Sequence, residues 1–414
     1  MIEFCTRCLY SNMHPLGLVI NEKGICSGCV VHEEKYAINW FERFEKLTEV
    51  VDDFRSHNKT NYDCIVPVTG AGDSFFTVHV VKNILGLNPL LVHYNSQFNT
   101  SVGIRNLARL RTQFNCDIFI KTINPKVVKK VSRKTLRDFG SIYWHVLAGR
   151  TAYPVQVACQ YKIPLIIWGA HQGVDQVGMF SHFDEVEMTG LYRQQHDLFG
   201  TEAHSLVDYF DSISENELSG FTYPSNNEIA SVGVRGIYLN NYLMWDSKQQ
   251  HEQMIKIYGY ETANQTRTFD NYNNIDCWNY SDLHDYMKYL KHGYGKVVDH
   301  ASREIRLGRI TRNKGIALVK KFNHLKPRYA KLYFDWLGIT QNSFDYIMNQ
   351  YRSSVFWPKN EVLQFPPESI YYKNLALSQS EGSNKSLGKV NYKLTKKHSS
   401  QDSDLNYILI GKGY

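Results

Sequence analysis

The sequence lacks any long apolar run, and this absence excludes several classes of protein. Its longest apolar stretch, residues 163–170, is far shorter than the roughly 18 residues that a membrane-spanning helix needs. The N-terminus also lacks a basic segment followed by an apolar one, so no secretory signal is predicted. We therefore expect a cytoplasmic protein with no membrane insertion.

The sequence also lacks a strong excess of charge of one sign. Lys and Arg number 47 against 40 Asp and Glu, which gives a net charge of +7 over 414 residues. This weak imbalance suits an anionic small molecule at least as well as a nucleic acid, so a nucleic-acid partner is not favoured. With 43% apolar and 14% aromatic residues, the chain has the composition of a globular protein with a large core, and its length allows two or three domains.

The few cysteines are unevenly placed. Four of the eight lie within the first 29 residues, as Cys5-x-x-Cys8 and Cys26-x-x-Cys29. In a reducing compartment, clustered cysteines bind metal more often than they form disulfides, and two such turns complete a tetrahedral site. We predict a structural Zn²⁺ at these four residues; a redox dithiol and an iron–sulfur cluster are the alternatives. Because four thiolates saturate zinc, no catalysis is expected there.

The middle of the chain alternates between strand and helix patterns, which predicts a layered α/β fold with a parallel sheet. Ligands of such sheets bind beyond the carboxyl ends of the strands. Strands are predicted at 63–68, 89–94, 117–122 and 164–168, and helices at 32–58, 74–85, 102–114, 125–138 and 145–161.

These patterns suggest five segments along the chain. Residues 378–405 are rich in Ser, Asn, Lys and Gln and are predicted to form a mobile tail, while 407–410 could add one strand. The predicted segments are a zinc-ribbon-like module with the four cysteines (1–35), a helical linker (36–60), an ATP-binding domain (61–236), a mostly helical C-terminal domain (237–376) and a polar tail (377–414).

A glycine-rich turn, residues 69–74, follows the first predicted strand. Small residues turn the chain and a helix begins at about Ser74. Such a turn directs backbone N–H groups and the helix dipole towards an anion, and it matches neither GxxxxGK[ST] nor GxGxxG. The alternative is an ordinary strand–helix turn in which Asp73 or Ser74 caps the helix.

This turn resembles the SGGxDS signature of the PP-loop ATP pyrophosphatases, whose fold is that of the adenine nucleotide alpha hydrolases. From the cysteine pairs to about residue 350, the chain resembles the N-acetyl sugar amidotransferases, a PP-loop family of bacterial surface-polysaccharide synthesis. The matching segments are Cys5–Cys8, Cys26–Cys29, 62–74, 144–149, 163–169, 196–200, 238–239, 245–247, 267–272 and 299–312.

The resemblance implies an ATP-dependent, AMP-forming carbon–nitrogen ligase. It would adenylate the acetamido oxygen of a free or nucleotide-linked sugar, and ammonia would replace that oxygen to give an acetamidino group for lipopolysaccharide O-antigen or a related glycan. Asp73, as a Mg²⁺ ligand, and Ser74 would be catalytic. The implied ATP-binding residues are Thr69, Gly70, Ala71, Gly72, Asp73, Ser74, His93, Tyr94, Trp168 and Gly169.

Candidate substrate-binding residues lie outside the turn. Arg303, Arg306, Arg309 and Arg312 recur every three residues and would form a basic ridge on a helix. We select His145, Arg306 and Arg309 as candidates for contact with the sugar, against the alternatives of a buried structural histidine and a solvated or interdomain basic face.

The source of nitrogen is expected to lie elsewhere. Cys5 belongs to a metal pair, and no other cysteine occupies a strand–turn–helix elbow suited to a nucleophile. By resemblance, ammonia would come from a separate glutaminase subunit, with a cyclase-like barrel subunit as a further partner.

Two other functions are considered. The first is a PP-loop tRNA thiolase, although the remaining cysteines contain no further CxxC pair. The second is a degenerate, non-catalytic PP-loop subunit, motivated by departures from the family pattern at Ala71, Gly72 and Ala170, where the family has Gly, Lys and an acid.

Overall fold

The computed structural model describes residues 2–56, 62–207, 213–357, 369–378 and 380. Five parallel strands form one sheet, which confirms the predicted α/β class. The strands are β1 (Cys64–Pro67), β2 (Pro89–Tyr94), β3 (Ile118–Lys121), β4 (Leu165–Trp168) and β5 (Arg235–Tyr238).

The strand order is β3-β2-β1-β4-β5, so β1 lies at the centre of the sheet. Ile65 of β1 lies beside Leu90 of β2 on one side and Ile166 of β4 on the other. All six residues of β2 are buried, as expected for a parallel strand covered on both faces. The order reverses between β1 and β4, and the loops after these two strands therefore open a crevice at the carboxyl edge of the sheet.

Helices cover both faces of the sheet. Their ends carry the expected signals: the fifth helix has the Asn124 side chain as N-cap, Pro125 in its first turn and Gly140 as a left-handed C-cap. Up to residue 232, the helices are α1 (Ser27–Glu34), α2 (Trp40–Asp52), α3 (Gly72–Val78), α4 (Ser101–Phe114), α5 (Pro125–Phe139), α6 (Trp144–Tyr161), α7 (Gln172–Asp175), α8 (Gly190–Tyr192), α9 (Glu215–Leu218) and α10 (Asn226–Val232).

Two predicted helices need correction. The segment predicted as one helix over 32–58 contains the end of α1 and the separate helix α2, with Asn39 capping α2 through its side chain. The helix predicted over 74–85 begins two residues earlier, at Gly72, and continues from α3 into a π-helical turn, His79–Ile84. Short π-helical turns are frequent at functional sites.

The part of the chain after β5 is mostly helical in the described residues, as predicted. It contains a 3₁₀ turn at Leu239–Asn241 and a π-helical turn at Asn279–His284, while a π-helical turn at Arg193–Asp197 and a 3₁₀ turn at Ala203–Leu206 lie before β5. The helices are α11 (Ser247–Tyr258), α12 (Asp285–His292), α13 (Lys296–Arg306), α14 (Arg312–Phe322), α15 (Ala330–Leu337), α16 (Gln341–Tyr351) and α17 (Ile370–Leu377).

The N-terminal cysteine segment packs against these C-terminal helices, although some 290 residues separate them along the chain. The Leu9 N–H donates to Ser302 of α13 at 3.3 Å, and Arg312 of α14 donates to the Cys8 carbonyl oxygen at 3.1 Å. One apolar cluster includes all four cysteines and residues of α12, α13 and α17. The segment therefore takes its core from the C-terminal helices.

The predicted mobile tail and the strand predicted at 407–410 lie outside the described residues, except for residues 378 and 380. The domain limits set from the sequence stay predictions. Across the described ranges, none of the helices combines the length and hydropathy that crossing a bilayer requires.

Candidate functional site

The four N-terminal cysteines form one buried cluster. Their sulfur atoms all lie within 4.8 Å of one another. Cys8 Sγ lies 3.5 Å from Cys26 Sγ, and Cys5 Sγ lies 3.9 Å from Cys29 Sγ. A tetrahedron of thiolates at a Zn–S distance of about 2.3 Å has sulfur atoms about 3.8 Å apart. The cluster could therefore hold a zinc ion with little rearrangement.

Arg306, predicted as a sugar-binding candidate, contacts this cluster. Its Nε donates to Cys29 Sγ at 3.4 Å, and its Nη2 lies 3.6 Å from Cys26 Sγ and 3.9 Å from Cys8 Sγ. Burial disfavours the charged guanidinium, but the negative charge of the Cys29, Cys8 and Cys26 thiolates outweighs burial and holds the Arg306 pKa well above its ordinary value. Arg306 would thus offset the negative charge of a metal–thiolate centre.

The predicted basic ridge is wrong as a continuous helical face, because α13 ends at Arg306 and α14 begins at Arg312. Each arginine also has protein partners. Arg303 donates to Asp270 at 2.7 Å, and Arg309 pairs with Glu304 at 3.1 Å and with Asp246. These side chains join elements of the structure instead of forming a free cationic surface.

The turn at residues 69–74 has the predicted strand–turn–helix shape. Its two hydroxyl groups are engaged within the turn: Ser74 Oγ accepts from the Thr69 N–H at 2.8 Å, and Thr69 Oγ1 accepts from the Ala71 N–H at 3.1 Å. Gly70 packs so closely on α4 that an added Cβ would lie 2.3 Å from the Gly103 carbonyl oxygen. Only glycine fits there.

His251 of α11 covers the middle of this turn. A Cβ added to Gly72 would lie 2.4 Å from His251 Cδ2, and His251 Nε2 lies 2.9 Å from Asp73 Oδ1. The imidazole therefore occupies the space that a side chain at position 72 would need. This contact gives a physical reason for the departure from Lys at Gly72. The Asp73 side chain remains 47% exposed.

The other predicted nucleotide and substrate residues lie near the carboxyl ends of β2 and β4. His93 is buried, its Nδ1 is 2.8 Å from the Val68 carbonyl oxygen, and burial lowers its pKa to about 4. His145 Nδ1 lies 3.3 Å from the Tyr94 hydroxyl, and burial lowers the His145 pKa to about 3. Trp168 stacks on Tyr238 with 6.4 Å between ring centroids. These side chains are mainly engaged with the protein core.

A cavity of about 210 Å³ opens beyond the carboxyl edge of the sheet, where the strand order reverses. Asp73 of the turn and Ala170 after β4 lie in its wall. The cysteine segment and α1 supply Tyr10, His32 and Lys35, and α13 supplies Asp299, His300, Arg303 and Arg306. Of the residues proposed from the sequence, Asp73 and Arg306 line this cavity.

Several charged groups of the cavity were missed by sequence reasoning. The Lys35 ammonium is buried, pairs with Asp175 and donates to the Trp245 carbonyl oxygen at 3.2 Å. Asp299 accepts from the Tyr10 hydroxyl at 2.9 Å and pairs with Lys288. The cavity residues of α13 could have been found from the sequence, because residues 299, 300, 303 and 306 have the spacing of one helix face. No local pattern marks Lys35.

The fold and the cavity define a class of protein. It has a parallel α/β sheet with a glycine-rich strand–turn–helix at its switch point, a four-cysteine segment and a helical C-terminal part. Residues 266–369 match the family model described as "LPS biosynthesis protein WbpG-like, C-terminal domain". This match confirms, over those residues, the resemblance to a family of bacterial surface-polysaccharide synthesis. It supports a role in lipopolysaccharide biosynthesis.

Other comparisons add little. No curated protein gives a significant sequence match. Among solved structures, NMN synthetase from Francisella tularensis is 16% identical and aligns over 53% of this chain and 87% of its own, with a TM-score of 0.26.

Proposed function

We propose that this chain is the synthetase subunit of an ATP-dependent amidotransferase that acts on an acetamido sugar, free or nucleotide-linked. The amide oxygen attacks the α-phosphorus of ATP, pyrophosphate leaves, the amide nitrogen loses its proton to water, and a neutral O-adenylated imidate forms. Ammonia then adds to the imidate carbon, and AMP leaves with the former amide oxygen. The product is an acetamidino sugar for lipopolysaccharide O-antigen or a related surface glycan.

One observation carries this proposal: the glycine-rich turn and the WbpG-like segment contribute to the same cavity. Asp73 of the turn and His300 and Arg303 of the WbpG-like segment all line this cavity, at the switch point where parallel sheets bind ligands. A polyphosphate at the turn and a sugar beside the WbpG-like segment would therefore be adjacent. Adenylation requires this proximity.

In this proposal, residues 69–74 hold the departing pyrophosphate and Asp73 binds the Mg²⁺ that offsets its charge. The adenine would lie near the ends of β2 and β4, beside His93, Tyr94, Trp168 and Gly169. The four cysteines would hold one structural zinc. Because ATP and reduced thiols are both found in the cytoplasm, we propose that the protein works there.

The nitrogen source is part of the same proposal. Ammonia would arrive from a separate glutaminase subunit, with a cyclase-like barrel subunit as a further partner. In the described residues, the cysteines outside the metal cluster are buried or half-buried, and burial raises the pKa of Cys64, Cys116, Cys159 and Cys277, which opposes a thiolate nucleophile.

A non-catalytic subunit is the second candidate, and one observation favours it. His251 occupies the space that a lysine side chain at position 72 would need. His251 is also hydrogen-bonded with Asp73, the acid that would bind Mg²⁺. The tRNA thiolase is less favoured, because the described residues contain one group of metal-ligating side chains, the N-terminal cysteines.

The test uses the purified full-length chain with ATP, Mg²⁺, ammonium chloride and a panel of UDP-linked N-acetylated sugars. We expect AMP, pyrophosphate and an amidino sugar detected by mass spectrometry as the replacement of O by NH. Asp73→Ala should abolish AMP formation, and Asp73→Asn, which keeps an oxygen for His251, should lower it by about 100-fold or more. Asp53→Asn, an exposed acid on the surface, is the matched control.

Undiminished turnover in both Asp73 variants would reject the assigned site. Tight sugar binding by the wild-type protein without any AMP or pyrophosphate exchange would instead favour the non-catalytic subunit. Circular dichroism of each variant verifies that the fold is intact.

A further inference from the structure

A histidine of the WbpG-like segment stands in the cavity wall with one ring nitrogen uncommitted. His300 lies on α13 and is 5% exposed. Its Nδ1 is hydrogen-bonded with Thr268 Oγ1 at 2.8 Å, and Asp270 Oδ2 lies 3.9 Å from the same nitrogen. Within the described part of the chain, Nε2 has no hydrogen-bond partner. The open nitrogen is therefore available to a ligand in the cavity.

A network of hydrogen bonds holds the two groups behind His300, Asp270 and Thr268. Asp270 accepts from the N–H groups of Tyr272 at 3.0 Å and Asn273 at 2.8 Å, and from Arg303 at 2.7 Å. Thr268 Oγ1 in turn accepts from the Asp270 N–H at 3.3 Å. The Asp270 carboxylate on the Nδ1 side favours the tautomer with its proton on Nδ1, and the Thr268 hydroxyl can accept that proton in a hydrogen bond. Nε2 is then a proton acceptor.

The surroundings keep this imidazole neutral near pH 7. The groups that face it are Asp270 and Asp299, which favour its charged form, and Arg303 and Lys296, which disfavour it. Burial is the largest influence and lowers the His300 pKa to about 4.

The other proton acceptors of the cavity already have partners. His32 Nε2 lies 3.2 Å from the Tyr36 hydroxyl. The carboxylates of Asp73, Asp246 and Asp299 pair with His251, Arg309 and Lys288. The Lys35 ammonium is already paired with Asp175, and the Tyr10 hydroxyl donates to Asp299. A guanidinium, such as that of Arg303, has no acceptor.

We propose that His300 is the catalytic base of the ammonia step, with Thr268 and Asp270 as positioning residues; this rests on the proposed function. As ammonia adds to the imidate carbon, the new C–N bond forms and one proton passes from that nitrogen to His300 Nε2. The C–O bond to AMP then breaks and the amidine C=N bond forms. The proton on Nε2 passes to the amidine, which leaves as the amidinium and restores the neutral imidazole.

Separate assays of the two half-reactions distinguish a role of His300 in the ammonia step from a role in adenylation. ATP–pyrophosphate exchange with the active UDP-linked sugar reports adenylation, and amidino-sugar formation with ammonium chloride reports the complete reaction. We expect His300→Asn, which keeps a polar group near Thr268 but lacks Nε2, to slow amidine formation by about 100-fold or more. Exchange should stay within about threefold of wild type in the same variant.

Two further measurements keep the assignment testable. Added imidazole should partly restore amidine formation in His300→Ala, and Thr268→Val should slow amidine formation more than exchange. His292→Asn, on α12 and absent from the cavity wall, is the matched control and should leave both rates unchanged.

Any one of three results would overturn the role of His300. The first is amidine formation by His300→Asn within threefold of wild type, and the second is an equal loss of both half-reactions in this variant. The third is that imidazole fails to restore amidine formation in His300→Ala while Thr268→Val shows normal rates. A wild-type protein silent in both assays would instead overturn the proposed function itself, before any variant is compared.

Discussion

Substitution of Gly72 by alanine gives a specific prediction about stability. The added methyl group has a steric effect and a conformational effect, and these change the free energy of unfolding in opposite directions. Gly72 begins α3 and has no positive φ, so alanine there would ordinarily stabilise the protein by about 0.4–1 kcal/mol. However, its Cβ would lie 2.4 Å from His251 Cδ2, against a normal separation of about 3.5–4.0 Å between carbon atoms.

The surroundings of the His251 imidazole oppose its displacement. The His251 side chain is fully buried, contacts the rings of Tyr260 and Tyr272 with centroids 5.9 and 5.4 Å away, and is hydrogen-bonded with Asp73. Overpacking of this kind costs about 1–3 kcal/mol. We therefore expect Gly72→Ala to destabilise the wild-type protein and to be neutral or stabilising in a His251→Ala background.

The assay is urea unfolding of the two single variants and the double variant, followed by tryptophan fluorescence. The coupling free energy should exceed about 1 kcal/mol, well above the 0.3–0.5 kcal/mol deviation seen for independent sites. Gly190→Ala is the matched control, since Gly190 also begins a helix and its added Cβ would make an ordinary 3.4 Å contact with Tyr223. Additive effects, or a stabilising Gly72→Ala in the wild-type background, would refute the steric reasoning.

Two other predictions concern the cysteine cluster and the pH dependence of stability. The full chain should bind one zinc, and Arg306→Met should weaken that binding by about 10–100-fold because it leaves the thiolate charge unbalanced. Chelator competition measures this change. Arg55→Met, which loses a pair with exposed Asp52, should leave zinc binding unchanged. The pKa of His145 is lowered to about 3 by burial, so below about 6.5 the unfolded chain takes up a proton that the folded chain does not, and stability falls as the pH drops. His145→Gln should reduce the change in the free energy of unfolding per pH unit by up to about 1.4 kcal/mol between pH 6 and 4. His204→Gln, at an exposed site, should leave this slope unchanged. An identical slope in both variants would contradict the burial argument.

The strands and the turn were predictable because their signals are local. Strand β2 was predicted with its observed limits, Pro89–Tyr94, since a short apolar run between turn signals suffices to mark a buried parallel strand. The strand–turn–helix that carries Asp73 was predictable for the same reason, whereas the role of Asp73 came from the family resemblance and stays a prediction. The π-helical turn after α3 has no comparable sequence signal.

The cavity was only partly predictable, because its wall comes from distant parts of the chain. Lys35 lies in the N-terminal segment and pairs with Asp175, 140 residues away. The sequence marked residues 299–312 through family resemblance, but it did not show that His300 faces the cavity while Arg309 pairs with Asp246 and Glu304.

The amino-acid sequence by itself determined the alternation of strands and helices, the strand–turn–helix that carries Asp73, and the spacing of the four cysteines, because each depends on residues close together in the chain. Tertiary structure alone decided that Arg306 contacts those cysteine thiols and that His251 fills the space above Gly72. Both contacts form when helices far apart in the sequence pack together, and the choice of partner depends on burial and geometry that no local pattern encodes.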